Sequence, residues 1–317
     1  MQYRQLGPSD LKLSTIGFGS WAIGGGNWKF GWGNQDAREA IDAIIAAVDL
    51  GINWIDTAAV YGGGQSEELV GQALKELGPA RRPIVATKCG RVMRDPETID
   101  KVLKSESIIA ECDASLKRLG VDCIDLYQMH WPEPDEDIEE GWRTLVELKR
   151  QGKVREIGVS NHSVEQLKRL QAIHPVCSLQ PPYSLIVPDA EQQLLPYCGE
   201  QKIGVVTYSP MYKGLLSGKF TADRATALPE SDHRSRDPRF QPPQIEKYLR
   251  LVEGLRAIAN EHNRTVAELA IAWVLRRPEV TSAIVGARRP SQVAETVNAA
   301  DWILSQKDVQ AIDAMLI

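Results

Sequence analysis

Three short apolar runs in this chain end in side chains that move protons or hold charge. Ile52–Asp56 ends in a carboxylate, Ile84–Lys88 in an ammonium and Ile124–His130 in an imidazole, and Tyr61 lies five residues beyond Asp56. An ionisable group closing an apolar strand is costly unless it is paired or used. Together the four residue types suggest proton transfer to a carbonyl. A phenol ordinarily titrates near ~10, and an adjacent ammonium is expected to lower that value by favouring phenolate. Asp56 can hold Lys88 in place, Tyr61 can donate a proton as charge develops on a carbonyl oxygen, and His130 can orient and polarise that oxygen. None of the four supplies a hydride, so a reduction needs a cofactor. Taken singly, each residue has another reading. Asp56 and Lys88 can form a structural ion pair, Lys88 a Schiff base, His130 a packing contact, and Tyr61 an ordinary turn beside Gly62-Gly63-Gly64. The joint pattern is more specific than its members.

Such residues need elements to position them. Short β-rich runs recur along the chain at Ile16–Gly19, Ile52–Asp56, Ile84–Lys88, Ile124–His130, Val154–Ser160, Cys177–Gln180, Gly204–Tyr208 and Ser282–Val285. Strands of this kind suit a parallel sheet buried on both faces. Helical patterns lie between them. Asp36 with Glu39, Ser163 with Gln166 and Thr265 with Glu268 read as N-terminal caps. In the first helix Ile41, Ile44, Ile45 and Val48 share a face before Gly51, and in the third Val266, Leu269, Trp273 and Val274 lie on one side. Eight βα units predict one (β/α)8 TIM barrel spanning residues 1–317 as a single domain, with a doubly wound sheet as the competing architecture. Two pieces break the rhythm. Residues 2–14 predict a β-hairpin plug turning at Gly7-Pro8-Ser9-Asp10. Residues 209–244, after the seventh strand, predict a long irregular loop, which is either a lid or a surface insertion. In the barrel, strand ends Asp56, Lys88, His130, Ser160, Gln180, Tyr208 and Gly286 fall on one rim, where this fold carries its sites.

Composition narrows the function classes. The 317 residues are 43% hydrophobic and carry a net charge of −5, which argues against a nucleic-acid or anionic-membrane surface. The N-terminal residues lack a basic-then-apolar signal pattern, and no apolar run reaches the ~18 residues a membrane span needs. The five cysteines are odd in number and scattered, as expected for free thiols in a reducing cytosol and not for a disulfide framework or a zinc site. The expectation is a cytoplasmic protein with a small-molecule carbonyl substrate and no metal, a monomer being favoured.

Several stretches resemble the aldo-keto reductase signatures. They are Asn53-Trp54-Ile55-Asp56-Thr57-Ala58-Ala59-Val60-Tyr61-Gly62, Ala86-Thr87-Lys88, Asp125-Leu126-Tyr127-Gln128-Met129-His130-Trp131-Pro132 and the run from Gly152 to Asn161. The similarity runs from about residue 3 to residue 313. Trp21-Ala22-Ile23-Gly24-Gly25-Gly26 and Gln180-Pro181-Pro182-Tyr183 further resemble the bacterial general stress protein and inositol-operon branch. The resemblance implies NADPH-dependent reduction of aldehydes or ketones, with Tyr61 as proton donor supported by Asp56, Lys88 and His130. The family's other known use, a cofactor-bound sensor or partner module with slow turnover, is the alternative. It also implies a cofactor site without a Rossmann fold. Ser160, Asn161 and Gln180 would hold the carboxamide and Tyr208 would stack on the nicotinamide. Ser209, Pro210, Met211, Lys213, Gly214, Ser217 and Lys219 would wrap the pyrophosphate. Gly286, Arg288, Arg289, Gln292 and Glu295 would take the adenosine end, the arginines before a helix start favouring the 2′-phosphate of NADP. Gln292 replaces an arginine found in many members, and Thr296 replaces an expected asparagine.

Gly17-Phe18-Gly19-Ser20-Trp21-Ala22 fits G-x-G-x-x-A, but glycines and tryptophans follow where a dinucleotide fingerprint would open a helix. Trp21, Trp28 and Trp131 are the candidate walls of the substrate pocket. Ile317 follows closely on a predicted last helix, which is expected to leave the pocket more open than in relatives with a longer tail.

Overall fold

A computed structural model describes residues 1–316 and places eight parallel strands in a closed barrel ringed by helices. The strands are Ile16–Gly19, Trp54–Asp56, Ile84–Cys89, Ile124–Met129, Val154–Ser160, Ser178–Gln180, Gly204–Tyr208 and Val280–Gly286. Each pairs with its neighbour in chain order, and the eighth closes on the first through Ala283 opposite Ile16 and Gly286 opposite Gly19. A (β/α)8 barrel is therefore the architecture, and the doubly wound sheet is excluded. The expected second strand is shortened because Asn53 serves another purpose. Its side chain accepts from the Ser14 N–H at 2.7 Å and donates to the Lys12 carbonyl at 2.8 Å, tying the barrel to the hairpin below.

That hairpin pairs Tyr3–Gln5 with Lys12–Ser14 and seals the N-terminal end of the barrel. Leu6, Leu11 and Leu13 pack there against Trp54, Ala86, Leu126 and Val206. The Trp54 indole donates to the Ser14 carbonyl at 3.2 Å and to Ser282 Oγ at 3.0 Å. Its ring lies where a Cβ on Gly17 would stand, at 2.2 Å, so the first strand needs glycine at that position.

The caps hold as expected. Asp36 accepts from the Glu39 N–H at 2.8 Å, and Ser163/Gln166 and Thr265/Glu268 form reciprocal capping boxes. The helix Val266–Leu275 differs from expectation in being buried on every side. It packs on the eighth strand, on the helix Gln244–Glu261 and on the turn after residue 296, so it keeps no solvent face.

A second antiparallel hairpin, Arg91–Asp95 with Thr98–Lys101, follows the third barrel strand and was not anticipated. Asp95 closes its turn by accepting from the N–H groups of Glu97 and Thr98, each at 2.9 Å. Residues 209–244 are not featureless. They hold short helical turns at Tyr212–Ser217, Ala222–Thr226, His233–Arg236 and Pro238–Phe240. They reach the loop after the first strand, where Trp32 bridges Asp232 and the His233 N–H donates to the Gly31 carbonyl at 3.0 Å. The five cysteines are free, and no helix among the described residues is long and apolar enough to cross a membrane.

Candidate active site

Asp56 ends the second barrel strand, Lys88 is the last residue but one of the third and His130 lies just past the fourth, so parallel pairing alone gathers them on the C-terminal rim. Lys88 is fully buried and directs its ammonium at three acceptors: Asp56 Oδ1 at 2.8 Å, Asp56 Oδ2 at 2.7 Å and the Thr57 carbonyl at 2.9 Å. Desolvation lowers its pKa against the pull of Asp56. Gly62, Gly63 and Gly64 all have positive φ, and this glycine turn folds Tyr61 back over the pair. The Lys88 nitrogen lies 5.3 Å from the centroid of the Tyr61 ring, and His130 meets the same ring edge-on at 5.8 Å.

The phenol departs from the expectation that lysine would lower its pKa. Burial, then the charge of Asp56, pushes Tyr61 well above its ordinary value. The reason is geometric, because Asp56 neutralises the nearby ammonium and takes two of its donors. The group is thus protonated at neutral pH, as a proton donor must be. His130 is held well below the usual imidazole range by burial and by the charges of Lys88 and Arg91, so it is neutral and offers an uncharged ring.

One cavity of about 1580 Å³ opens over this cluster and continues as a trench along the rim. On its floor Ser160 Oγ donates to the Gln180 carbonyl at 2.8 Å, Asn161 Nδ2 donates to Ser160 Oγ and to the His130 carbonyl at 3.0 Å, and the Tyr208 hydroxyl donates to Asn161 Oδ1 at 2.9 Å. Gln180 Nε2 donates to Asp56 Oδ1 at 2.8 Å, joining floor and proton-handling group. Asn161 is held at φ 63°, a conformation asparagine tolerates better than most residues. Beyond Tyr208 the backbone turns left-handed at Ser209, Tyr212, Lys213 and Gly214. Two of the N–H groups here close turns on the loop itself, Tyr212 on the Ser209 carbonyl at 2.9 Å and Gly214 on the Met211 carbonyl at 3.1 Å.

A model of the aldo/keto reductase family matches residues 15–317. The chain belongs to the aldo-keto reductase family. Members are oxidoreductases of carbonyl substrates that use nicotinamide cofactors. The chain is 39% identical over 317 residues to the aldo-keto reductase YhdN of Bacillus subtilis, covering 100% of itself and 94% of that protein. It is 38% identical to an NADH-specific methylglyoxal reductase of Escherichia coli, covering 98% and 97%. Among solved structures it resembles a glycerol dehydrogenase from Gluconobacter oxydans with TM-score 0.88 and 38% identity, over 99% of this chain and 94% of that one.

With the aldo-keto reductase barrel in view, the expected site residues separate into groups. Asp56, Tyr61, His130, Ser160, Asn161, Gln180, Tyr208, Ser209, Pro210, Met211, Lys213, Gly214, Ser217 and Lys219 all line the one cavity, with Gly286, Arg288, Arg289, Gln292 and Glu295 at its far end. Lys88 lies beneath the surface. Lys219 meets Glu295 across the trench in an exposed ion pair at 2.7 Å. Arg288 has a second task. Its guanidinium is committed to Gln35 Oε1 at 2.7 Å, to the Trp32 carbonyl at 3.0 Å and to the Asn34 carbonyl, so it pins the loop after the first strand. Arg289 makes no ion pair among the described residues and heads the helix Pro290–Thr296. Trp21, Trp28 and Trp131 line the opposite end; Trp28 is buried against Ala58 and Val60, and Trp131 is exposed. Sequence reasoning missed Arg91, Ile99 and Lys101 of the second hairpin and His233, Arg234 and Arg236 of the long loop, all of which line the cavity. The Asp95-Pro96 pair, a dipeptide that favours turn initiation, is the local signal that could have found the hairpin.

Proposed function

We propose that this chain reduces aldehydes or ketones to alcohols with NADPH, Tyr61 delivering the proton. One observation carries the reading: a buried Lys88–Asp56 pair lies under a protonated phenol that faces a neutral imidazole, and all of it opens into a trench whose lining includes Lys213, Lys219, Arg288 and Arg289. Ser160, Asn161 and Gln180 would hold the carboxamide, the loop from Ser209 to Lys219 the pyrophosphate, and Arg289 the 2′-phosphate. When bound, the cofactor supplies the hydride. Tyr61 and His130 bracket the position of the carbonyl oxygen. His130 can donate a neutral hydrogen bond there, and Tyr61 can give up its proton as negative charge builds. Asp56 and Lys88 fix the ring and the floor through Gln180. The trench and tetrad belong to one barrel domain, read here as a cytoplasmic enzyme.

The test is NADPH consumption at 340 nm with 4-nitrobenzaldehyde and methylglyoxal. Tyr61→Phe is expected to lose ~10²–10⁴-fold in turnover, the usual contribution of a positioned acid, while still binding cofactor. Near wild-type turnover in that variant overturns the mechanism. Arg289→Ala is expected to cut the NADPH-over-NADH preference by about tenfold or more, the loss of one charge-assisted contact. An unmoved preference removes Arg289 from the phosphate site and brings the chain nearer the NADH-specific relative.

A further inference from the structure

The substrate end of the cavity is cationic, and the charge comes from the second hairpin. Arg91 opens that hairpin, Lys101 ends it, and Lys29 approaches from the loop after the first strand, where its N–H donates to the Pro96 carbonyl at 2.8 Å. Arg91 is positioned from several sides. Its Nη1 donates to the Gly90 carbonyl at 3.2 Å, its Nη2 pairs with the Glu133 carboxylate, and its guanidinium lies 5.8 Å from the ring centroid of Trp131. The turn beneath is held by Glu111, which accepts from the Gly90 N–H at 3.0 Å. No partner among the described residues takes its Nε.

The balance of charge shows what this corner lacks. Glu133 is shared between Arg91 and Lys101, the latter at 3.1 Å, and these two cations hold its carboxyl below the usual range. Lys29 makes no ion pair among the described residues. Three cations thus face Glu133, with Glu111 as a second carboxyl beneath Arg91. Around them the wall is apolar or aromatic, from Trp28, Ile99 and Trp131. The cationic group is also near the chemistry, since Arg91 contributes to keeping His130 neutral. A guanidinium beside a flat aromatic wall, with a donor to spare, is suited to a planar anion.

We propose that Arg91, assisted by Lys101, selects carbonyl substrates that carry an anionic group, a carboxylate or a phosphate, away from the carbonyl. This rests on the reading of the site as a carbonyl reductase. The reacting carbonyl would lie at Tyr61 and His130 while the anion reaches the hairpin rim. Arg91 is then a specificity-determining residue, acting chiefly on the binding of the anion.

The experiment compares 3- and 4-carboxybenzaldehyde with their methyl esters, and glyceraldehyde 3-phosphate with glyceraldehyde, as acid-to-neutral ratios of kcat/KM. The wild type is expected to favour the anion by about tenfold or more, chiefly through KM, as one or two charge-assisted hydrogen bonds allow. Arg91→Gln is expected to bring the ratio towards one, Lys101→Gln to lower it partly, and Arg91→Lys to retain an intermediate preference. The carboxylate and phosphate arms separate the two anions. Binding of the alcohol product 4-(hydroxymethyl)benzoate and of its methyl ester, read by tryptophan fluorescence, gives a second measurement without turnover. Neutral aldehydes reduced as well as anionic ones overturn the proposal and leave the reductase reading standing. A preference that persists in both glutamine variants overturns the assignment to this hairpin. No turnover on any aldehyde, with the acid still bound more tightly than the ester, supports the anion site and counts against the reductase reading. Should Arg91→Gln fail to fold, the wild-type ratio and the exposed Lys101→Gln variant still decide.

Discussion

The two ends of the barrel interior are built on opposite principles. At the N-terminal end Leu6, Leu11, Leu13, Trp54 and Leu126 close the bore with apolar surface, and the polar atoms there belong mainly to hydrogen bonds that fasten the hairpin. At the C-terminal end the same strands deliver Asp56, Lys88 and Gln180, each buried and each bonded to another of the group. Apolar burial stabilises directly, at roughly 25 cal/mol per Å². A buried ion pair gives little or no net gain, because desolvation offsets the attraction. One end therefore holds the barrel shut and the other is tolerated for its chemistry.

Substitutions can break that contrast. The largest effect is expected at Lys88. Lys88→Met strands the Asp56 carboxylate and is expected to cost about 3–5 kcal/mol of stability along with turnover. Pairing it with Asp56→Asn should restore most of the stability and none of the turnover, as denaturant unfolding and NADPH consumption would report. Recovery of both would reduce the pair to a structural ion pair. Trp54→Ala, at the other end, is expected to cost about 3–5 kcal/mol through the cavity it leaves, with kcat per folded molecule preserved. A fall in kcat there would mean that the two ends are coupled.

A smaller effect sharpens the boundary between them. Burial pushes Glu111 up to about 7 from an ordinary 4.5. A raised acid favours the fold while protonated, so its contribution is present below pH 4.5 and is lost as pH rises through 7. Buried His162 and His233, each lowered to about 4, act in the other direction and lose stability as pH falls from 6.5 towards 4. Comparing Glu111→Gln with the wild type cancels the histidines. The variant is expected to gain on the wild type as pH rises from 4.5 to 7, by at most about 1.4 kcal/mol for each pH unit crossed. Parallel melting curves across that window would show that Glu111 titrates normally.

Much of the barrel was legible because parallel strands put their ends on one rim, so naming the strand-end residues names the site. The plug was legible from its turn. What escaped was set by distant partners. Arg288 and Arg289 are identical in type, and it is Gln35, far away in the chain, that engages one of them. The path of residues 209–244 depends on Trp32 meeting Asp232, a pairing with no local signal. The second hairpin has no apolar run, since Arg91, Arg94, Asp95, Asp100 and Lys101 interrupt Val92, Met93 and Ile99. The phenol's pKa moved opposite to expectation because burial, then the charge of Asp56, raises it, while the lysine's donors are taken up by Asp56 and the Thr57 carbonyl.

The seam between the first and eighth strands sets an order on folding. Ile16 waits for Ala283, and Trp54 waits for Ser282, whereas Asp56, Lys88 and His130 come from consecutive units near the start. During synthesis Asp56, Lys88 and His130 emerge long before the strand that closes the ring, and a domain folds as a unit. Until the eighth strand is released, two sheet edges and the apolar bore stay open to other chains. Residues 280–286 are thus the segment whose arrival removes both open edges at once.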